Sequence, residues 1–119
     1  TGMTETSNLK DIFTECIPLF IALGDPTRLN IIQCLYEVNA TDQKRNVPGL
    51  NVKEITEQTS LSRPAVSHHL KILKDSGFID VLKKGVCNYY YLNSDTAVEK
   101  LIRLNNELQK NSIGNCSTI

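Results

Sequence analysis

Leu61-Ser62-Arg63-Pro64-Ala65-Val66-Ser67-His68-His69-Leu70-Lys71-Ile72-Leu73-Lys74-Asp75-Ser76-Gly77 is the stretch on which the reading of this chain turns. Ser62 offers a side-chain oxygen of the kind that caps a helix N-terminus. Pro64 falls in the first turn, where a missing N–H costs little. The spacing predicts a helix over residues 63–76, ended by Gly77 in the left-handed region. At about 100° per residue, Ala65, Val66, His69, Leu70, Ile72 and Leu73 share one side. Arg63, Ser67, His68, Lys71 and Lys74 share the other, which carries donors and positive charge from the helix N-terminus onward.

Working outward, residues 78–82 and 86–92 are rich in β-branched and aromatic side chains. Lys83-Lys84-Gly85 joins them, with glycine where a positive φ is needed, so a hairpin is expected. On the other side, residues 52–59 read as a short helix with Ile55 inward, and Ser60-Leu61 as its turn. Helix, tight turn, helix and basic-tipped hairpin is the order of a winged helix-turn-helix. A charged helix face taken alone is a solvated surface. The turn ahead of it, the hairpin behind it and the two tip lysines turn this one toward DNA. Arg63 can fork onto a guanine edge and Ser67 can contact a base or phosphate, while Lys71 and Lys74 suit phosphates. His68 lies on the outer face as a DNA contact. His69 lies on the core face as a hydrogen-bonded structural histidine, and the two diverge too far to chelate one metal from a single helix.

The remaining segments frame this unit. Leu9, Ile12, Phe13, Cys16, Ile17, Phe20 and Ile21 form a wide apolar stripe over residues 9–23, with a kink or break expected at Pro18. Asp25 and Pro26 open a second helix with Leu29, Ile31, Ile32, Leu35 and Val38 facing inward. Residues 39–51 lapse into a polar loop with a Pro-Gly turn, expected as a mobile surface excursion. Residues 93–95 cap a last helix over 96–110, with Ala97, Val98, Leu101, Ile102, Leu104 and Leu108 apolar. The expected fold is mainly α with a small β-hairpin wing and five or so helices.

The 119 residues suit one domain, residues 9–110. Residues 1–8 read as a tag remnant and flexible N-terminus, and residues 111–119 as a flexible tail. No apolar run is long enough to span a membrane, and no signal peptide is visible, so a cytoplasmic location is expected. Lys and Arg number 13, as do Asp and Glu, for a net charge of zero. The balance is uneven, however, because residues 61–92 carry a net positive charge. No Ser/His/Asp set, glycine-rich phosphate loop or converging carboxylate pair points to an enzyme, and no cofactor is expected.

Leu23-Gly24-Asp25-Pro26-Thr27-Arg28-Leu29, with Leu61 to Lys71 as quoted above, resembles the ArsR/SmtB family of winged-helix repressors. Lys84-Gly85 and Tyr89-Tyr90-Tyr91-Leu92 resemble that family's wing. The resemblance implies a homodimer through the first and last helices and two recognition helices one DNA turn apart on an imperfect inverted repeat. It implies repression relieved by an inducer. The DNA-reading positions it carries over are Ser62, Arg63, Pro64, Ser67 and His68, with Lys83 and Lys84 on the wing. The family's usual arginine after the wing glycine is Val86 here, and the loop over residues 39–51 is longer than the family's.

The family's metal sites find too few ligands in this chain. Residues 52–59 hold no cysteine, and no histidine follows His69, so no metal is expected. Cys16, Cys34, Cys87 and Cys116 show no C-x-x-C spacing and read first as reduced thiols. Cys16 and Cys116 belong to segments that meet at the implied dimer interface, which makes them the candidate sensor thiols. The competing function is a winged-helix module that binds a protein through the same face without specific DNA binding.

Overall fold

The computed structural model describes residues 8–41 and 46–110. Within them the order is α1 (Leu9–Leu23), α2 (Pro26–Thr41), α3 (Val52–Thr59), α4 (Arg63–Asp75), β1 (Ile79–Lys84), β2 (Cys87–Leu92) and α5 (Asp95–Lys110). Short polar side chains decide where helices begin. Asn8 accepts from the Asp11 amide at 2.9 Å, and Ser62 from the Ala65 amide at 3.2 Å. At α3 the cap is reciprocal. Asn51 accepts from the Glu54 amide at 2.8 Å, and the Glu54 carboxylate accepts from the Asn51 amide at 3.0 Å. Gly77, at φ 84°, follows α4 in the left-handed region as expected.

The α2, α3 and α4 helices close on the hairpin around Ile31, Leu35, Leu50, Ile55, Val66, Leu70, Leu73 and Ile79, with Ala22 from the end of α1. A smaller cluster of Ile12, Cys16 and Leu104, with Leu9 against it, seals α1 to α5. An Arg103–Glu15 ion pair at 2.7 Å borders that seam. The two terminal helices therefore pack as a pair beside the core that carries α4.

Several local expectations change. Helix α1 runs through Pro18 without a break. Pro18 is exposed, so the carbonyl that loses its donor sits away from the core, while buried Cys16 and Leu19 anchor the helix on either side. The α1 stripe also divides. Ile12 and Cys16 are buried, joined by Leu19 and Ala22 from outside that stripe, whereas Phe13, Ile17, Phe20 and Ile21 stay exposed, because α5 and the core cover only one side of so wide an apolar face. In α2, Arg28 takes the inward position together with Ile31 and Leu35. Leu29, one residue round the helix, is left exposed.

The loop over residues 39–51 is not an excursion at either end. Helix α2 extends to Thr41, and Leu50 is buried. Leu50 exchanges two backbone hydrogen bonds with Tyr90, at 2.9 and 2.8 Å, which fix it against the wing. In the hairpin, Lys83 and Lys84 belong to β1, opposite Asn88 and Cys87. The turn is the two-residue Gly85-Val86, with Gly85 at φ 64°, because a primed turn with glycine first matches the strand twist better than a longer loop.

Candidate nucleic-acid interface

The turn between α3 and α4 is made by Ser60 in the left-handed region, at φ 61°, its amide donating to the Thr56 carbonyl at 3.0 Å. Ile55 of α3 and Val66, Leu70 and Leu73 of α4 are buried together, which fixes which side of α4 is left outside. Ser62, Arg63, Pro64, Ser67, His68, Lys71 and Lys74 are all exposed, and His69 is half-buried. The division of the helix into two faces is thus the one read from its spacing. Lys71 Nζ meets Asp75 Oδ2 at 3.0 Å, a partner the sequence reading did not assign. Both side chains are well exposed, so the pair is worth no more than about 0.5 kcal/mol and leaves the ammonium available to a phosphate.

Lys83 and Lys84 are exposed on β1, and Val86 at the tip is 98% exposed. The wing tip leans toward the start of α4. Arg63, Val86, Cys87 and Asn88 share one depression of about 310 Å³ with Asn51, Val52 and Lys53 from the start of α3. Lys53 and Asn88 were missed from sequence. The available signal was Lys53's place in the first turn after the Asn51 cap, a turn that must face outward once Ile55 points in.

Behind this surface lies a polar joint. Arg28 is 7% exposed, with Nε donating to the Ala22 carbonyl at 2.8 Å and Nη2 to the Ile21 carbonyl at 3.0 Å. Its Nη1 lies 3.1 Å from His69 Nδ1 and 3.5 Å from Asp25 Oδ2. Burial pushes the His69 pKa below its ordinary value; Arg28 and His68 act in the same direction and Asp25 against it. The neutral ring accepts from the guanidinium, as expected of a structural histidine. The Thr27 amide, donating to Asp25 Oδ1 at 2.7 Å, does most to hold the Asp25 carboxyl below its usual range, with Arg28 contributing.

Of the cysteines, Cys16 is fully buried between α1 and α5, its thiol 3.7 Å from the Lys100 carbonyl. The Cys34 thiol is pushed up by burial and then by Glu37, which disfavours the thiolate. Cys87 borders the depression, and Cys116 lies outside the described residues. Among the described residues, no three His, Cys, Asp or Glu side chains are grouped to hold a metal ion, and no helix is long and apolar enough to cross a membrane.

A family model described as bacterial regulatory protein, arsR family, matches residues 25–81. The HTH-type transcriptional regulator MJ1325 of Methanocaldococcus jannaschii is 34% identical over 96 residues, covering 81% of this chain and 97% of that protein. The chain belongs to the ArsR family. This ArsR-family chain is also 32% identical over 92 residues to the transcriptional repressor SdpR of Bacillus subtilis, covering 77% of the chain and 91% of SdpR. Its fold matches the homodimeric winged helix-turn-helix DNA-binding domain of Mb0332 from Mycobacterium bovis. There the TM-score is 0.59 at 20% identity, over 83% of this chain and 82% of that one. As a member of this family, the protein is a DNA-binding transcriptional regulator.

Proposed function

We propose that this ArsR-family regulator is a homodimeric repressor that binds an imperfect inverted repeat. Its α4 enters the major groove while the wing and the start of α3 grip the flanking backbone. The observation that carries this reading is the meeting of Arg63, Lys53 and the wing tip around one depression at the start of the exposed α4 face. Arg63 forks onto a guanine edge, and Ser62, Ser67 and His68 supply further polar contacts. Pro64 offers an apolar edge, and Lys53, Lys71, Lys83 and Lys84 neutralise phosphates. With overall charge at zero, this placement of cations is what makes one side of the molecule attractive to DNA.

The homodimer would form through the faces of α1 and α5 that the protomer leaves open. Phe13, Ile17 and Phe20 follow helical spacing on α1, and Val98, Ile102 and Leu108 are exposed on α5. The homodimeric Mb0332 domain supports this part of the reading, and the repressor SdpR supports repression. An inducer that releases the DNA belongs to the same reading. If it is thiol-directed, Cys16 becomes reactive only when α1 and α5 part.

Gel-shift titrations on the DNA flanking the protein's own gene test the proposal. Arg63→Ala and Ser67→Ala are each expected to cost about 1–3 kcal/mol on the bound sequence and to relax base preference at one position. Lys53→Ala is expected to weaken all duplexes alike and reduce the salt slope by about 1. Wild-type affinity in both Arg63→Ala and Ser67→Ala would refute the assignment of α4, and absence of sequence-specific retention would favour a protein-binding module.

A further inference from the structure

Arg28 and His69 have no part in the surface just described, yet they meet in a part-buried polar contact behind it. The guanidinium reaches the Ile21 and Ala22 carbonyls at 3.0 and 2.8 Å. Those carbonyls belong to the last turn of α1, where intrahelical donors run short. The same guanidinium lies 3.1 Å from His69 Nδ1, in the middle of α4 and on the side away from Ser67 and Lys71. One buried side chain therefore joins the end of α1 to the centre of α4, and Asp25 Oδ2 at 3.5 Å steadies it from the α1–α2 corner.

We propose that the Arg28–His69 contact is the joint that fixes the angle of α4 against α1, making both of them positioning residues for operator binding although neither faces the DNA. This rests on the reading that α1 helps hold the dimer and α4 reads the bases. In a dimer built that way, each α4 is located relative to its partner's α4 through α1. A loosened joint leaves a single half-site readable but blurs the register between two half-sites. Rigid spacing has a large effect because both halves must be engaged at once for the second to bind at high effective concentration.

The joint works only while Nδ1 accepts. Protonated, the ring presents an N–H and a positive charge to the guanidinium. The charges that reach His69 are those of Asp25 and Arg28 at the α1–α2 corner and of His68 beside it on α4. Burial together with Arg28 and His68 keeps the ring neutral to lower pH than an ordinary histidine, so the contact is intact at neutrality and opens on acidification.

The test uses fluorescence anisotropy on the full chain and a duplex selected by the wild-type protein from a random-sequence library. Two companion duplexes carry a single half-site, or the two half-sites moved apart by about half a helical turn. His69→Asn keeps an acceptor near the Nδ1 position and should stay within about threefold of wild type, whereas His69→Phe removes it and should lose about tenfold on the selected duplex. His69→Phe should also discriminate less against the spaced duplex and bind the single half-site normally; Arg28→Lys should behave alike. The chain has two histidines, so in a His68→Gln background His69 alone remains. There, affinity should fall with acidification from pH ~7 to ~5, and His69→Asn should abolish that fall. Wild-type operator binding by His69→Phe would overturn the proposal, as would an equal loss on the single half-site. If the wild-type protein selects no duplex, the functional reading fails on its own account. The joint is then judged by amide hydrogen exchange, and exchange in α4 no faster in His69→Phe than in wild type overturns it.

Discussion

Gly49 shows how one absent β-carbon ties a loop to the wing. At φ 63° a β-carbon there would land on the Tyr90 carbonyl, the group that accepts from the Leu50 amide at 2.9 Å. Gly49→Ala therefore combines a backbone clash with left-handed strain, and should cost at least about 2 kcal/mol in urea unfolding. Gly85→Ala is the control. Its φ is 64° but its β-carbon meets open space, so only the conformational cost of about 1 kcal/mol remains. Equal losses in the two variants would mean that the Leu50–Tyr90 bridge contributes nothing. This anchoring was not legible beforehand, since Leu50 sits at the end of a polar run and its partner lies on β2. Arg28 was hidden for a similar reason. A cation reads as surface until the carbonyls, imidazole and carboxylate that satisfy it are brought together by the fold.

At the scale of elements, what could be read was whatever has a local cause. Ser62 and Gly77 bracket α4, Asp25-Pro26 opens α2, and the two faces of α4 follow from its spacing alone. What could not be read was set by neighbours. Ten apolar positions surround so much of α1 that periodicity could not choose the buried row, and Lys83-Lys84-Gly85 fits a three-residue turn as well as a strand end by composition. The Asn51–Glu54 cap tests how far one local device carries. Helix α3 has 8 residues, too few to persist without packing and caps. Asn51→Ala should cost about 1 kcal/mol by thermal unfolding. Because Asn51 and Lys53 both line the depression beside Arg63, the same variant should weaken binding to all duplexes alike. A stability loss with DNA affinity unchanged would separate the start of α3 from the interface.

At the scale of the molecule, most of the large apolar side chains left exposed among the described residues lie on α1 and α5, where a second copy would cover them. Helices α1 and α5 bury one row against each other through Ile12, Cys16 and Leu104, while Ile17 at 47% and Ile102 at 52% exposure face outward. A charge placed on that outer face costs little in a free protomer, since no packing is removed, but it is costly at the centre of an apolar interface. Ile17→Glu combined with Ile102→Glu should therefore yield the mass of one chain by light scattering where wild type yields two, with helix content by circular dichroism unchanged. Tyr36→Glu alters a more exposed apolar position, 58%, on α2 and should remain dimeric. The DNA readout follows from the phosphate count. A lone protomer reaches about half the phosphates, so the slope of affinity against salt should fall to about half. Its affinity for the full operator should sink to that for a single half-site, because the second α4 is no longer delivered by the first. A double variant that stays dimeric, or one that becomes monomeric while keeping the wild-type salt slope, would break the link between the α1–α5 face and the spacing of the two α4 helices.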